Sequence, residues 1–96
     1  MSRYFQLYDT TSTAKFQTLM VGAASIKTTA ISGRRITLFT GTVPTFVEFG
    51  TSTVTATTSS AVAPANCMID YHFEPGQFVA LLSSGAVTYV TVLDAD

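Results

Sequence analysis

Residues 67–93 repeat one device, a strand-length run closed by turn residues. In the first run Ile69, Tyr71 and Phe73 fall on one side of an extended chain and Asp70, His72 and Glu74 on the other. This is the period of two that a half-buried strand requires. Pro75-Gly76 then suits the two central positions of a type II turn: proline presets φ at the second residue, and glycine accepts φ > 0 at the third. Residues 78–82 are apolar on both faces, the pattern of a central, covered strand. Ser83-Ser84-Gly85 turns the chain again, and residues 86–93 form a closing strand. A chain whose last third reads strand, turn, strand, turn, strand is committed to a β surface.

The remainder continues the pattern less sharply. In residues 3–9, Phe5 and Leu7 share one face, with Tyr4, Gln6 and Tyr8 on the other, so residues 1–13 read as a first strand or a docking arm. Residues 14–21 carry apolar positions 16, 19 and 20 at helical spacing, but their length also fits a strand, which we assign. Residues 25–31 alternate, Ser32-Gly33-Arg34 marks a turn, and residues 36–39 are a short apolar strand. Residues 43–49 place Val43, Thr45, Val47 and Phe49 on one face, and Pro44 puts the start of that strand at an edge or a bulge. Residues 51–58 read as a polar strand or an extended loop, and residues 59–66 as a loop. About seven or eight short strands at spacings of roughly 8–12 residues predict a single all-β domain over residues 1–96. The expected architecture is a compact antiparallel β-sandwich, jelly-roll-like or immunoglobulin-like.

Composition narrows the function classes. A chain of 96 residues buries only about 60–65% of its unfolded surface, so its own stability is modest. Small domains often add disulfides, a metal or oligomerisation. A lone cysteine, Cys67, permits no internal disulfide, and a lone histidine, His72, argues against a dedicated zinc site. Self-association or docking on a larger body remains. The five cations, Arg3, Lys15, Lys27, Arg34 and Arg35, are scattered and form no stripe for nucleic acid. No run approaches the roughly 18 apolar residues of a membrane-spanning helix, and the N-terminus lacks the roughly 7–15-residue apolar core of a signal peptide. Synthesis in a cytoplasm is the expectation, and a single cysteine suits that reducing compartment. Polarity comes from 17 Thr and 9 Ser more than from the six acidic and five basic residues. Hydroxyls desolvate at far lower cost than charges, so such a surface suits packing against neighbours.

No constellation carries chemistry. Asp70, His72 and Glu74 share a strand face at steps of about 6–7 Å and stand parallel, which converges poorly on one ion; a solvated face is the simpler reading. Cys67 and His72 fall on opposite faces about 16 Å apart along a continuous strand, beyond the reach of a nucleophile–base pair. No Gly-x-Ser-x-Gly elbow is present. We therefore expect no catalytic, cofactor or metal site. The candidate residues are contact residues. Tyr4, Phe5 and Tyr8 are either ordinary core or an arm that inserts into a neighbour. Arg34 and Arg35 form an exposed pair in a turn. Thr53, Thr55 and Thr57 lie in the charge-free stretch 51–63, which is either a contact surface or merely a flexible loop.

Several short motifs resemble a known group of proteins. Thr55-Ala56-Thr57-Thr58-Ser59, Pro64-Ala65-Asn66, Phe73-Glu74-Pro75-Gly76, Val79-Ala80 and Val90-Thr91-Val92 look like those of small β-sandwich virion proteins of tailed bacteriophages, cyanobacterial viruses especially. In those proteins a Thr/Ser loop ending in Pro-Ala-Asn precedes a strand, a Pro-Gly hairpin and a closing Val-Thr strand. The resemblance spans residues 43–93 and leaves the first forty residues unmatched. It implies a non-enzymatic structural role in the virion. A capsid decoration (cement) protein is the best match, a dimer or trimer on the outside of the head that bridges capsomers of the major capsid protein. A neck, tail or fibre component is the alternative within the virion. A carbohydrate-binding sandwich is a third reading. It is disfavoured because tryptophan is absent, although Tyr4, Tyr71 or Tyr89 could stack on a sugar.

Overall fold

The computed structural model describes residues 15–94. Tyr4, Phe5 and Tyr8 lie outside the described residues. The described chain has eight strands: β1 Lys15–Val21, β2 Ile26–Lys27, β3 Arg35–Phe39, β4 Thr45–Gly50, β5 Ala61–Ala63, β6 Met68–His72, β7 Phe78–Leu82 and β8 Thr88–Asp94. They form two four-stranded antiparallel sheets. Sheet A has the order β1-β8-β3-β6 and sheet B the order β2-β7-β4-β5. The expected compact β-sandwich is what the chain forms.

The pairings are nested. β1 pairs with β8, β2 with β7, β3 with β6, and β4 with β5. The chain is thus one long antiparallel ribbon, folded at the β4–β5 hairpin and rolled up so that successive rungs fall in alternate sheets. That nesting is the eight-stranded jelly-roll arrangement, and it decides between the two expected topologies. It also changes the reading of the turns. Residues 74–77 do form the expected type II turn, with Gly76 at φ 88° and the Gln77 N–H donating to Glu74 O at 3.2 Å. The turn does not close a hairpin, because β6 and β7 lie in different sheets. Residues 83–87 likewise carry the chain from sheet B to sheet A.

Side-chain alternation decides which face each strand buries. Leu19 and Val21 of β1, Ile36 and Leu38 of β3, Val90 and Val92 of β8, and Val47, Val79 and Leu81 of sheet B meet between the sheets. Each such side chain contributes about 1.5–3 kcal/mol by leaving water. Ile69, Tyr71 and Phe73 face this core, as their period predicts. Phe49 meets Tyr71 and Phe73 edge-on, with ring centroids 5.0 Å and 5.7 Å apart.

β7 is buried on both faces, and the second face has a specific cover. Ala80 and Leu82 point away from the sandwich and pack with Ala56, Phe46 and Val54. The β4–β5 connection, residues 51–60, folds back over the outside of sheet B. It tucks in Val54 and Ala56 and leaves Thr53, Thr55 and Thr57 exposed. The Ala56 N–H donates to Ser25 Oγ at 2.9 Å, which ties this flap to the β1–β2 connection.

Some local expectations change. β5 falls where a loop was expected, and of the two readings of residues 51–58, polar strand or extended loop, the loop is the one formed, as the flap. Arg35 opens β3 opposite His72 and is not in the turn. β4 is an inner strand; Pro44 stands just before Thr45, its first residue, so the missing N–H costs the ladder nothing. Regular pairing in β2 covers only Ile26 and Lys27, with one further bridge from Ile31 to Gln77. Gly41 passes so close to β8 that a Cβ there would overlap Thr88 Oγ1 and lie 2.6 Å from the Tyr89 carbonyl oxygen.

Candidate protein-contact surfaces

The outer face of sheet A carries several exposed apolar side chains. Reading across the register, Met20 stands opposite Tyr89, Thr18 opposite Thr91, and Phe16 opposite Leu93. On the other side of β8, Phe39 stands opposite Thr91 and Thr37 opposite Leu93. Met68, Asp70 and His72 of β6 complete the rows beside Phe39, Thr37 and Arg35. Met20 and Met68 are each 60% exposed, Tyr89 63%, and Val87, just before β8, 59%. The Tyr89 hydroxyl lies 3.8 Å from Met20 Sδ and joins the two side chains across the strands. Arg35, Asp70 and His72 share this face on β3 and β6, whereas the outward positions Phe16, Thr18, Met20, Tyr89, Thr91 and Leu93 of β1 and β8 carry no charged side chain.

Asp70 is held in place. Its Oδ1 accepts the Thr37 hydroxyl proton at 2.6 Å from the neighbouring strand. Asp70, His72 and Glu74 are all exposed, the first two on β6 and Glu74 in the turn that follows. Among the described residues, no group of three His, Cys, Asp or Glu side chains is placed to hold a metal ion. Cys67 precedes β6 and is half-buried; its thiol donates to Ala65 O at 3.3 Å. Thr40 fastens this corner. Its hydroxyl donates to Pro64 O at 2.6 Å and accepts the Cys67 N–H at 2.7 Å, and Asn66 takes the left-handed conformation at φ 57°. Asparagine tolerates that region better than most residues, which gives Pro64-Ala65-Asn66 a backbone role.

Two shallow clefts flank the sandwich. One, of about 340 Å³, is lined by Arg34, His72, Glu74 and Gln77 around Phe49, Phe73 and Pro75. The other, of about 420 Å³, lies between the flap and β2 and is lined by Ser25, Ile26, Lys27, Thr53, Val54 and Thr55. The sequence-derived candidates therefore divide: Arg34 lines the first cleft, Arg35 the outer face of sheet A, and Thr53 and Thr55 the second cleft. Burial raises the pKa of the Tyr71 phenol above its ordinary value, because desolvation disfavours the phenolate.

Met20 and Met68 escaped the sequence reading, and Tyr89 entered it only as a side chain that could stack on a sugar. β1 carries apolar residues on both faces, so positions 16, 19 and 20 imitate helical spacing; Leu19 is core, whereas Phe16 and Met20 point outward. An edge strand apolar on its solvent side was the available signal. Among the described residues no helix is long and apolar enough to cross a membrane, which leaves β-barrels unaddressed. No known protein family, no curated protein and no solved structure matches the chain.

Proposed function

We propose that this chain is a structural protein of a tailed-phage virion, a capsid decoration protein that binds the outside of the head and bridges capsomers of the major capsid protein. The observation that carries this reading is the charge-free part of the outer face of sheet A. Met20, Val87 and Tyr89 leave exposed apolar surface that a partner protein would cover, and Met68 is exposed on the same face at β6. The hydroxyl-rich flap, with Thr53, Thr55 and Thr57 outermost, adds surface that desolvates at low cost. The motif resemblance over residues 43–93 points the same way. Jelly rolls also occur among viral capsid and lectin domains. That is an analogy of fold, and function is argued from the surface.

The physical logic is additive. Packaged genome strains the joints between capsomers. A small domain that buries apolar and hydroxyl surface across each joint lowers the free energy of the closed shell, many copies over. Co-sedimentation with expanded heads stripped of the protein tests the reading. The wild-type chain is expected to bind saturably, and Met20→Asp with Tyr89→Asp to abolish binding while leaving the fold intact. A chain that ignores heads and assembles into rings of about six or twelve copies would transfer the role to the neck or tail.

A further inference from the structure

β6 ends sheet A, and among the described residues no strand pairs with its far side. The Thr40 N–H donates to Cys67 O at 2.9 Å and the Phe73 N–H to Arg34 O at 2.7 Å. Hydrogen-bonded and non-hydrogen-bonded pairs alternate along an antiparallel ladder, so Ile69 and Tyr71 also direct their backbone groups at β3. The N–H and C=O groups of Met68, Asp70 and His72 therefore point out along the free edge, and their side chains are exposed. On the inner side, Ile69 and Tyr71 pack on the core yet remain only half-buried. Charge on an edge strand ordinarily guards it against other chains. Here the charges fit a second copy.

We propose that β6 is a homodimer interface: two copies pair their β6 strands antiparallel about a two-fold axis at Tyr71, joining their four-stranded A sheets into one. Charge selects the register. An axis at Asp70 would set two carboxylates opposite each other, and an axis at Ile69 would set Asp70 opposite Met68. An axis at Tyr71 sets Asp70 of each copy opposite His72 of the other, and each such pair exchanges both backbone hydrogen bonds. The Thr37 hydroxyl holds Asp70 Oδ1 and leaves Oδ2 for the imidazole. An imidazole N–H donates to a carboxylate whether or not the ring is charged. Arg35, paired with His72 on β3, adds a positive charge to the same row. On the inner side the two Tyr71 rings become cross-strand neighbours and cover each other's exposed surface. Met20 and Tyr89 lie toward the opposite edge of sheet A and stay available to another partner. The inference does not rest on the virion reading.

Sedimentation velocity of the full chain over a dilution series reads the association directly. The expected result is a reversible monomer–dimer equilibrium. Asp70→Lys sets a cation beside the other copy's His72 and Arg35, and His72→Asp sets two carboxylates opposite each other. Each single variant is expected to weaken the dimer about tenfold or more, since the change acts at both symmetric positions. The double variant Asp70→Lys, His72→Asp restores opposite charges and is expected to recover the dimer. Hydrogen exchange on the wild-type chain is a second reading, and it decides alone if a variant does not fold. The Asp70 and His72 amides are expected to be protected in the dimer and to exchange freely on dilution. A chain that stays monomeric at high concentration overturns the proposal. A trimer does so too, because an isologous pairing of two edges closes at two copies. Association that the single variants leave unchanged, a loss that the double variant fails to recover, or unprotected Asp70 and His72 amides in the dimer would overturn it equally.

Discussion

Thr28 and Val79 are joined by two hydrogen bonds. The Thr28 N–H donates to Val79 O at 2.9 Å, and the Val79 N–H donates back to Thr28 Oγ1 at 3.1 Å. Regular pairing of β2 ends at Lys27, so a side-chain hydroxyl stands in for the carbonyl that the next rung would have supplied. Both residues are buried, and water cannot replace the acceptor. Thr28→Val keeps the shape and strands the Val79 N–H. The expected cost is about 1–3 kcal/mol in urea unfolding, with Thr28→Ser retaining most of the stability. A Thr28→Val chain as stable as wild type would show that the N–H finds another partner.

The flap over sheet B has an inner and an outer row. Ala56 is buried against Ala80 and Leu82, whereas Thr55 beside it is exposed. Ala56→Asp places a carboxylate in that apolar layer and is expected to cost about 2 kcal/mol or more. Thr55→Asp should stay within about 0.5 kcal/mol. Thermal unfolding of the pair measures this directly, and equal losses would mean that the flap does not pack as described.

Thr45 is fully buried in β4, and its hydroxyl finds no hydrogen-bond partner among the described residues. Thr45→Val removes an uncompensated polar group at nearly constant volume. A gain of about 1 kcal/mol is expected, seen as a rise of about 4–8 °C in the melting temperature. A loss would mean that the hydroxyl is satisfied in solution.

Tyr71 gives the fold an alkaline limit. Its folded pKa is raised by burial, so above pH 10 the unfolded chain releases the phenol proton before the folded chain does. The stability linked to this group is complete below pH 10 and is lost as pH rises through the folded pKa. The Tyr71→Phe variant should lack this part of the alkaline decline. Unfolding free energies at pH 8 and pH 11 for both chains carry the comparison.

How much could be read from the sequence depended on contrast. Residues 69–74 alternate apolar with charged, so their register was plain, and the unbroken apolar run 78–82 announced burial on both faces without naming its cover. β2 and β5 were obscure, since short runs of Ser, Thr and Ala look alike on either face. Topology was hidden for a different reason: Pro75-Gly76 forms the same turn whether it closes a hairpin or crosses between sheets. The exposed Met20 was masked by the core residue Leu19 beside it. Tyr4, Phe5 and Tyr8 fall outside the described residues.

The most direct test of the functional account is to locate the protein on intact phage particles with a specific antibody, by electron microscopy. The account predicts label distributed over the head surface. Label confined to the neck, tail or fibres, or particles with none, would contradict it.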